Sequence, residues 1–141
     1  MSSDQNKMLV HRFYEEVWMK GNLAVADEVF AANPIRHDPA LPTTESSPDQ
    51  QKQNAASFRG GFPDFQMTID LMAAEANLVI ARWTIRGTHA GQWSRVPVPP
   101  TGKKIAFSGV NIFRLESGKI VEIWNHRDDL SLMQQLGVLH Q

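Results

Sequence analysis

The sequence predicts an α+β fold built on an antiparallel sheet. Apolar residues recur at helical spacing up to about residue 62. Beyond that point short strands follow one another with turn residues between them. Helices first and a strand meander second is the order of an α+β domain. A chain of 141 residues suits one such domain over 1–141 and buries enough surface to fold without a metal or disulfide staple.

Ser3 or Asp4 is placed to cap the first helix. Met8, Leu9, Phe13, Val17 and Trp18 form its apolar stripe, and Gly21-Asn22 ends it. "LAVADEVFA" reads as a second, short helix with Leu23, Ala26, Val29 and Phe30 on one side. "NPIRHDPALPTTESSP" reads as a loop rich in Pro, Ser and Thr. Ser47 caps a third helix, with Pro48 at its first position, where a missing N–H costs nothing. That helix runs to about Arg59 and stops at Gly60-Gly61.

"DFQMTIDLMAAEANLVIARWTIRGTHAG" then gives two strands joined at Glu75-Ala76-Asn77. "SRVPVPPTGKK" is a Pro-rich connection. "IAFSGVNIFRLESGKIVEIWNHR" is a hairpin turning at "ESGK", and "DLSLMQQLGVL" is a last helix. In the last strand Ile120, Glu122, Trp124, His126 and Asp128 share one face, and Val121, Ile123, Asn125 and Arg127 share the other. Both faces carry large apolar residues, so both are expected to be covered, one by helices and one by a second subunit. The Ile120–Asp128 face is read toward the helices, where polar groups among apolar ones would line a pocket. A bulge near the strand end would shift this register by one.

The composition excludes several function classes. Net charge is −1 with charges dispersed, so there is no basic stripe for nucleic acid. No Lys/Arg cluster or long apolar run points to a membrane. With no cysteine there is no disulfide, thiolate nucleophile or Cys-based zinc site. The N-terminal stretch lacks the apolar core of a signal peptide, and a cytoplasmic location is expected. "PTGKK" lacks the glycine spacing of a phosphate loop and reads as a turn. His126 and Asp128 make half a metal site with no second pair, so no metal is expected.

Asp128 has two readings. It is well placed as an N-cap for the helix that follows. It is equally placed, at a strand end two residues from Trp124, as a carboxylate in an apolar pocket, and Asp129 would then take the cap. Trp124 becomes a pocket wall in this second reading. Glu122 on the same face needs a cationic partner, Arg82 or Arg114, or the cavity itself. Asn111 is a candidate substrate hydrogen-bonder. Tyr14 is a candidate hydroxyl pointing into the fold from the first helix.

"RWTIRGTHAGQW" followed by "VPPTGKKIAFSGVNIFRLESGKIVEIWNHRDDLSLMQQLG" resembles the SnoaL-like polyketide cyclase, or ester cyclase, family. That family belongs to the superfamily of nuclear transport factor two, ketosteroid isomerase and scytalone dehydratase. The matching pieces are G-T-H-x-G at Gly87–Gly91, the P-x-T-G-K-like turn at Pro99–Lys103, the G-K-I-x-E-x-W strand and "DDLSLMQQLG". "HDPA" at His37–Ala40 fits the loop before the third helix. The resemblance implies a cone: a curved, mainly antiparallel sheet wrapped round the N-terminal helices and enclosing a deep pocket, in a homodimer or homotetramer.

It also implies an acid–base aspartate at the end of the last long strand, which falls by count on Asp128. Ser131 and Arg127 depart from the family pattern, where Gly and an aromatic residue are common. His37 and His89 stand at pocket-side polar positions and are expected to orient a carbonyl. The implied activity is intramolecular aldol-type cyclisation of a small hydrophobic carbonyl compound, with neither cofactor nor metal. Isomerisation or dehydration of ketosteroid isomerase type would use the same parts. A binding protein of the same fold, without turnover, is the competing class.

Overall fold

The computed structural model describes residues 2–139. Helix α1 (Ser3–Arg12) starts one residue earlier than expected. Ser2 accepts the Gln5 N–H at 3.1 Å while the Gln5 side chain accepts the Ser2 N–H at 2.9 Å. This reciprocal capping box leaves Asp4 in the first turn, where a carboxylate faces the positive end of the helix dipole. The helix continues as a π-helical stretch, Phe13–Met19, which buries Phe13, Tyr14 and Val17. Helix α2 (Val25–Val29) is short, and α3 (Pro48–Gly61) carries the expected Ser47 cap and leading proline.

Phe30–His37 is strand β1, where the sequence reads as the end of a helix and a loop. Its partner lies far along the chain, parallel to it, so no local hairpin signal exists. Pro34 is tolerated because β1 is an edge strand and its pairing is interrupted between Phe30 and Ile35. The remaining strands are β2 (Gln66–Glu75), β3 (Leu78–Thr88), β4 (Lys104–Glu116) and β5 (Lys119–Arg127), followed by helix α4 (Asp129–Leu136). They form one curved sheet in the order β1-β5-β4-β3-β2, antiparallel except for β1 against β5. Ser117 and Gly118, at φ 50° and 75°, make the tight β4–β5 turn. Positive φ at both central positions matches the twist of the flanking strands.

The face assignment of β5 is corrected by one residue. Leu115 pairs with Ile120, but the next residue back, Arg114, pairs with Glu122, so Val121 is an extra residue in β5. The bulge resets the alternation. Ile123, Asn125 and Arg127 point to the helix side, while Glu122, Trp124 and His126 point away from it. The helix-side core centres on aromatic residues. Phe58 of α3 packs against Phe62, Trp93 and Phe107 with ring centroids 4.5, 5.4 and 6.0 Å away. Truncating such a residue to Ala typically costs about 3–5 kcal/mol. Here it would also unpin α3 from the sheet.

Candidate active site

Between the helices and the sheet lies a cavity of about 450 Å³, within the range of small-molecule sites. Its apolar wall includes Phe13, Trp18, Phe58, Trp83, Trp93 and Phe107. The π-helical stretch contributes Phe13, Tyr14 and Trp18, and a π turn is a frequent device at functional sites because it re-aims side chains that an α-helix would space regularly. The loop between β3 and β4 contributes Trp93, Ser94 and Arg95.

Two donors meet on one acceptor in the apolar wall. Tyr14 donates its hydroxyl proton to Asn111 Oδ1 at 2.6 Å, and Trp83 Nε1 donates to the same oxygen at 2.8 Å. Both donors fix the Asn111 amide so that its NH₂ faces Asn125, to which it hydrogen-bonds. Burial holds the Tyr14 hydroxyl well above the ordinary tyrosine range, so it stays a neutral donor.

The far end of the cavity is charged. Asp38, directly after β1, has a side chain only 2% exposed. Its carboxylate accepts Arg127 Nη1 at 2.8 Å and Nη2 at 3.2 Å, and the Ala40 N–H at 3.0 Å, with Arg36 Nη2 at 3.2 Å. Burial pushes this carboxyl up. The hydrogen bonds and charge of Arg127, the Ala40 N–H and the charge of Arg36 outweigh it and hold Asp38 below its usual value. Arg36 also pairs with Glu45 at 2.7 Å, and Arg127 with Asp129 at 3.1 Å. Burial alone would lower the Arg127 pKa, but its two carboxylate partners raise it.

Of the residues singled out in the sequence, the cavity brings together Tyr14 and Asn111. Asp128 does not line it. Its side chain caps α4 by accepting the Ser131 N–H at 3.1 Å, and Asp129 is the residue that reaches Arg127. The cap therefore falls to Asp128 rather than Asp129, for the same reason that moved the strand faces, and neither aspartate lines the cavity. His37, Glu122 and Trp124 lie together on the opposite side of the sheet. His37 Nε2 is 2.6 Å from Glu122, its ring stacks on Trp124, and Glu122 takes Arg114 Nε at 3.0 Å. Arg82 pairs on that side with Asp70 at 2.5 Å.

His89 is fully buried behind the cavity wall, stacked on Phe62, with its Nδ1 accepting the Thr101 N–H at 3.2 Å. It ties down the base of the loop that carries Trp93 and Arg95. Asp38, Arg36, Arg95, Asn125 and Gln51 escaped the sequence reading. Asp38 was within reach, since it follows His37 in the "HDPA" segment. The arginines have no periodic or motif signal, because they converge from β1, a loop and β5. Among the described residues no three His, Asp or Glu side chains converge as a metal site. None of the described helices is long and apolar enough to cross a membrane.

Comparison with known proteins agrees with this architecture. A protein from Jannaschia sp. CCS1, described as a proposed SnoaL-like polyketide cyclase, superposes with a TM-score of 0.85 at 22% identity, over 98% of this chain and 95% of that one. AclR from Streptomyces galilaeus, a proposed hydroxylase, gives 0.84 at 26% identity over 99% and 100% of the two chains. A proposed polyketide cyclase from Acidithiobacillus ferrooxidans gives 0.80 at 28% identity over 99% and 100%. No curated protein matches the chain. The family model for SnoaL-like polyketide cyclases matches residues 8–136, nearly the whole fold and all the elements that wall the cavity. The chain belongs to the SnoaL-like polyketide cyclase family.

Proposed function

We propose that the protein is a cofactor-free acid–base enzyme that cyclises or isomerises a small apolar carbonyl compound, with Asp38 in the role first read for Asp128. The observation that carries this reading is an ionised, nearly inaccessible carboxylate at the charged end of an aromatic cavity. A carboxylate so placed can take a proton from carbon and return it to the new alkoxide. Because the guanidinium groups hold Asp38 at low pKa, it is a weak base. The matching substrate is therefore acidic at carbon, as a CH₂ flanked by two carbonyls is. The same guanidinium groups stabilise the enolate that results. The aromatic wall folds the substrate so that the enolate faces its target carbonyl.

A second reading has its own support. Arg127 engages both oxygens of Asp38, as expected of a structural ion pair in a binding protein without turnover. Turnover of a panel of 1,3-dicarbonyl compounds separates the two. Asp38→Asn is expected to lower the rate by about two to four orders of magnitude, the usual worth of a positioned acid–base group. Asp128→Asn is expected to leave it unchanged, since Asn caps a helix about as well as Asp. Equal rates for wild type and Asp38→Asn would remove Asp38 from the mechanism. No turnover with any compound would favour the binding protein.

We propose a homodimer or homotetramer formed through the sheet face opposite the cavity, which exposes Leu71, Leu78 and Ile80 rather than the expected pair Val121 and Ile123.

A further inference from the structure

The charged end of the cavity holds more hydrogen-bond donors than the protein supplies acceptors for. Arg95 shows this most plainly. Its guanidinium stands 3.9 Å from Asp38 and 3.8 Å from Asp129, beyond hydrogen-bond reach, because those carboxylates are already taken by Arg127 and Arg36. Among the described residues none of its N–H groups has an acceptor. The group is 27% exposed, lies over the Trp93 ring at 5.9 Å and lines the cavity. Burial and the like charges of Arg127 and Arg36 make its own charge costly to hold, more than Asp129 and Asp38 offset.

Two neighbours along the same lining repeat the imbalance. Gln51 of α3 is 4% exposed, lines the cavity, and its amide has no hydrogen-bond partner among the described residues. Asn125 sits between the Asn111 NH₂ on one side and the guanidinium groups of Arg36 and Arg127 on the other. With its Oδ1 accepting from Asn111, its NH₂ has a long contact of 3.5 Å to Asp38 Oδ2 but lies against the guanidinium groups, and turned over it would face the Asn111 NH₂. An oxygen-bearing anion would give Arg95 and Gln51 the acceptor they lack, whereas a neutral apolar ligand would cut both off from water without replacing it.

We propose that the compound taken by this cavity carries a carboxylate beside its aromatic or polycyclic body, and that Arg95 binds this group while Gln51 donates to a second oxygen. Arg suits the task because its planar fork matches the two oxygens of a carboxylate, and Trp93 lies beside the guanidinium in the same wall. The inference rests on the reading of the cavity as a substrate site, and it adds the chemical class of what enters.

Calorimetric titration at neutral pH with 2-naphthoate and with methyl 2-naphthoate tests it. The two share a ring system and differ in the charged end. Wild type is expected to bind the carboxylate about tenfold or more tightly than the ester, the usual weight of a charge-assisted hydrogen bond. Arg95→Gln should lose that preference while its affinity for the ester stays within about twofold, which also shows that the variant is folded. Gln51→Leu should weaken the carboxylate more than the ester, and equal weakening of the two would remove Gln51 from the anion site. Equal affinity for the two compounds in wild type, or a preference that survives Arg95→Gln, overturns the anion site and leaves the cavity reading standing. Binding of neither compound overturns both. Loss of turnover in Asp38→Asn bears only on the acid–base role.

Discussion

At residue 89 a histidine is buried with Nε2 unpartnered, and this makes it a liability in acid. Burial lowers its pKa from the ordinary value, so the folded chain refuses a proton that the unfolded chain accepts. The stability this neutral ring contributes is fully present above the unfolded value of about 6.5. It is lost as pH falls from there toward the folded value. Urea midpoints measured from pH 8 to pH 5 should therefore be flat at first and then decline. His89→Gln keeps an acceptor for the Thr101 N–H but cannot titrate, so its curve should be flatter in that window. A slope equal to that of wild type would show that His89 is not the group responsible. The role expected of His89 in orienting a substrate carbonyl has no geometric support, since its ring faces Phe62 and Thr101 rather than the cavity. Sequence shows that a histidine stands beside a turn. It does not show which side of a closed wall the ring takes.

At the scale of elements, single residues decide which side chains reach the cavity. The helices were legible because caps and apolar spacing are local: Ser47 and Pro48 mark the start of α3, and Leu9, Phe13, Val17 and Trp18 of the expected stripe pack into the core, although Met8 is exposed and Phe13–Met19 is π-helical. Strand β1 was not, because what makes Phe30–His37 a strand is a partner about ninety residues away. Nor was the bulge at Val121, which sends Arg127 inward, carries Asp128 out to the cap of α4, and turns Trp124 away from the cavity. Strand β4 makes a matching demand at Gly109. This residue lies under the indole of Trp83, and a Cβ there would overlap the ring. Gly109→Ala should push Trp83 off Asn111 and out of its place in the wall. The expected cost is about 1–3 kcal/mol in chemical denaturation, the range for overpacking a filled interior, together with weaker ligand binding. An unchanged denaturation midpoint would mean that the indole moves freely, and the cavity wall is then less fixed than its hydrogen bonds indicate.

For the whole molecule, the question is what covers the outer face of the sheet. The expectation of a covered face was built on Val121 and Ile123, but Ile123 lines the cavity and Val121 is the bulge residue. The face is apolar for a different reason. Pairing registers place Ala73, Ile80, Ile112, Trp124 and His37 side by side across the five strands. Ile80 is 41% exposed, and Leu71, Leu78 and Ile35 extend the apolar area around it. The ion pairs Arg82–Asp70 and Arg114–Glu122 flank the row, as polar groups flank the centre of an interface. A sheet face of this kind is self-complementary about a twofold axis, because the same row meets itself. The expected species in solution is a homodimer or a larger even assembly, with a mass of at least twice 15.9 kDa by light scattering at micromolar concentration. Ile80→Glu sets two carboxylates facing each other across that axis. It should yield a monomer with unchanged secondary structure, since Ile80 is half-exposed within the protomer and contributes little to its core. A wild-type mass near 15.9 kDa would leave the row uncovered and refute the assembly. An Ile80→Glu protein that stays dimeric would move the contact to another face.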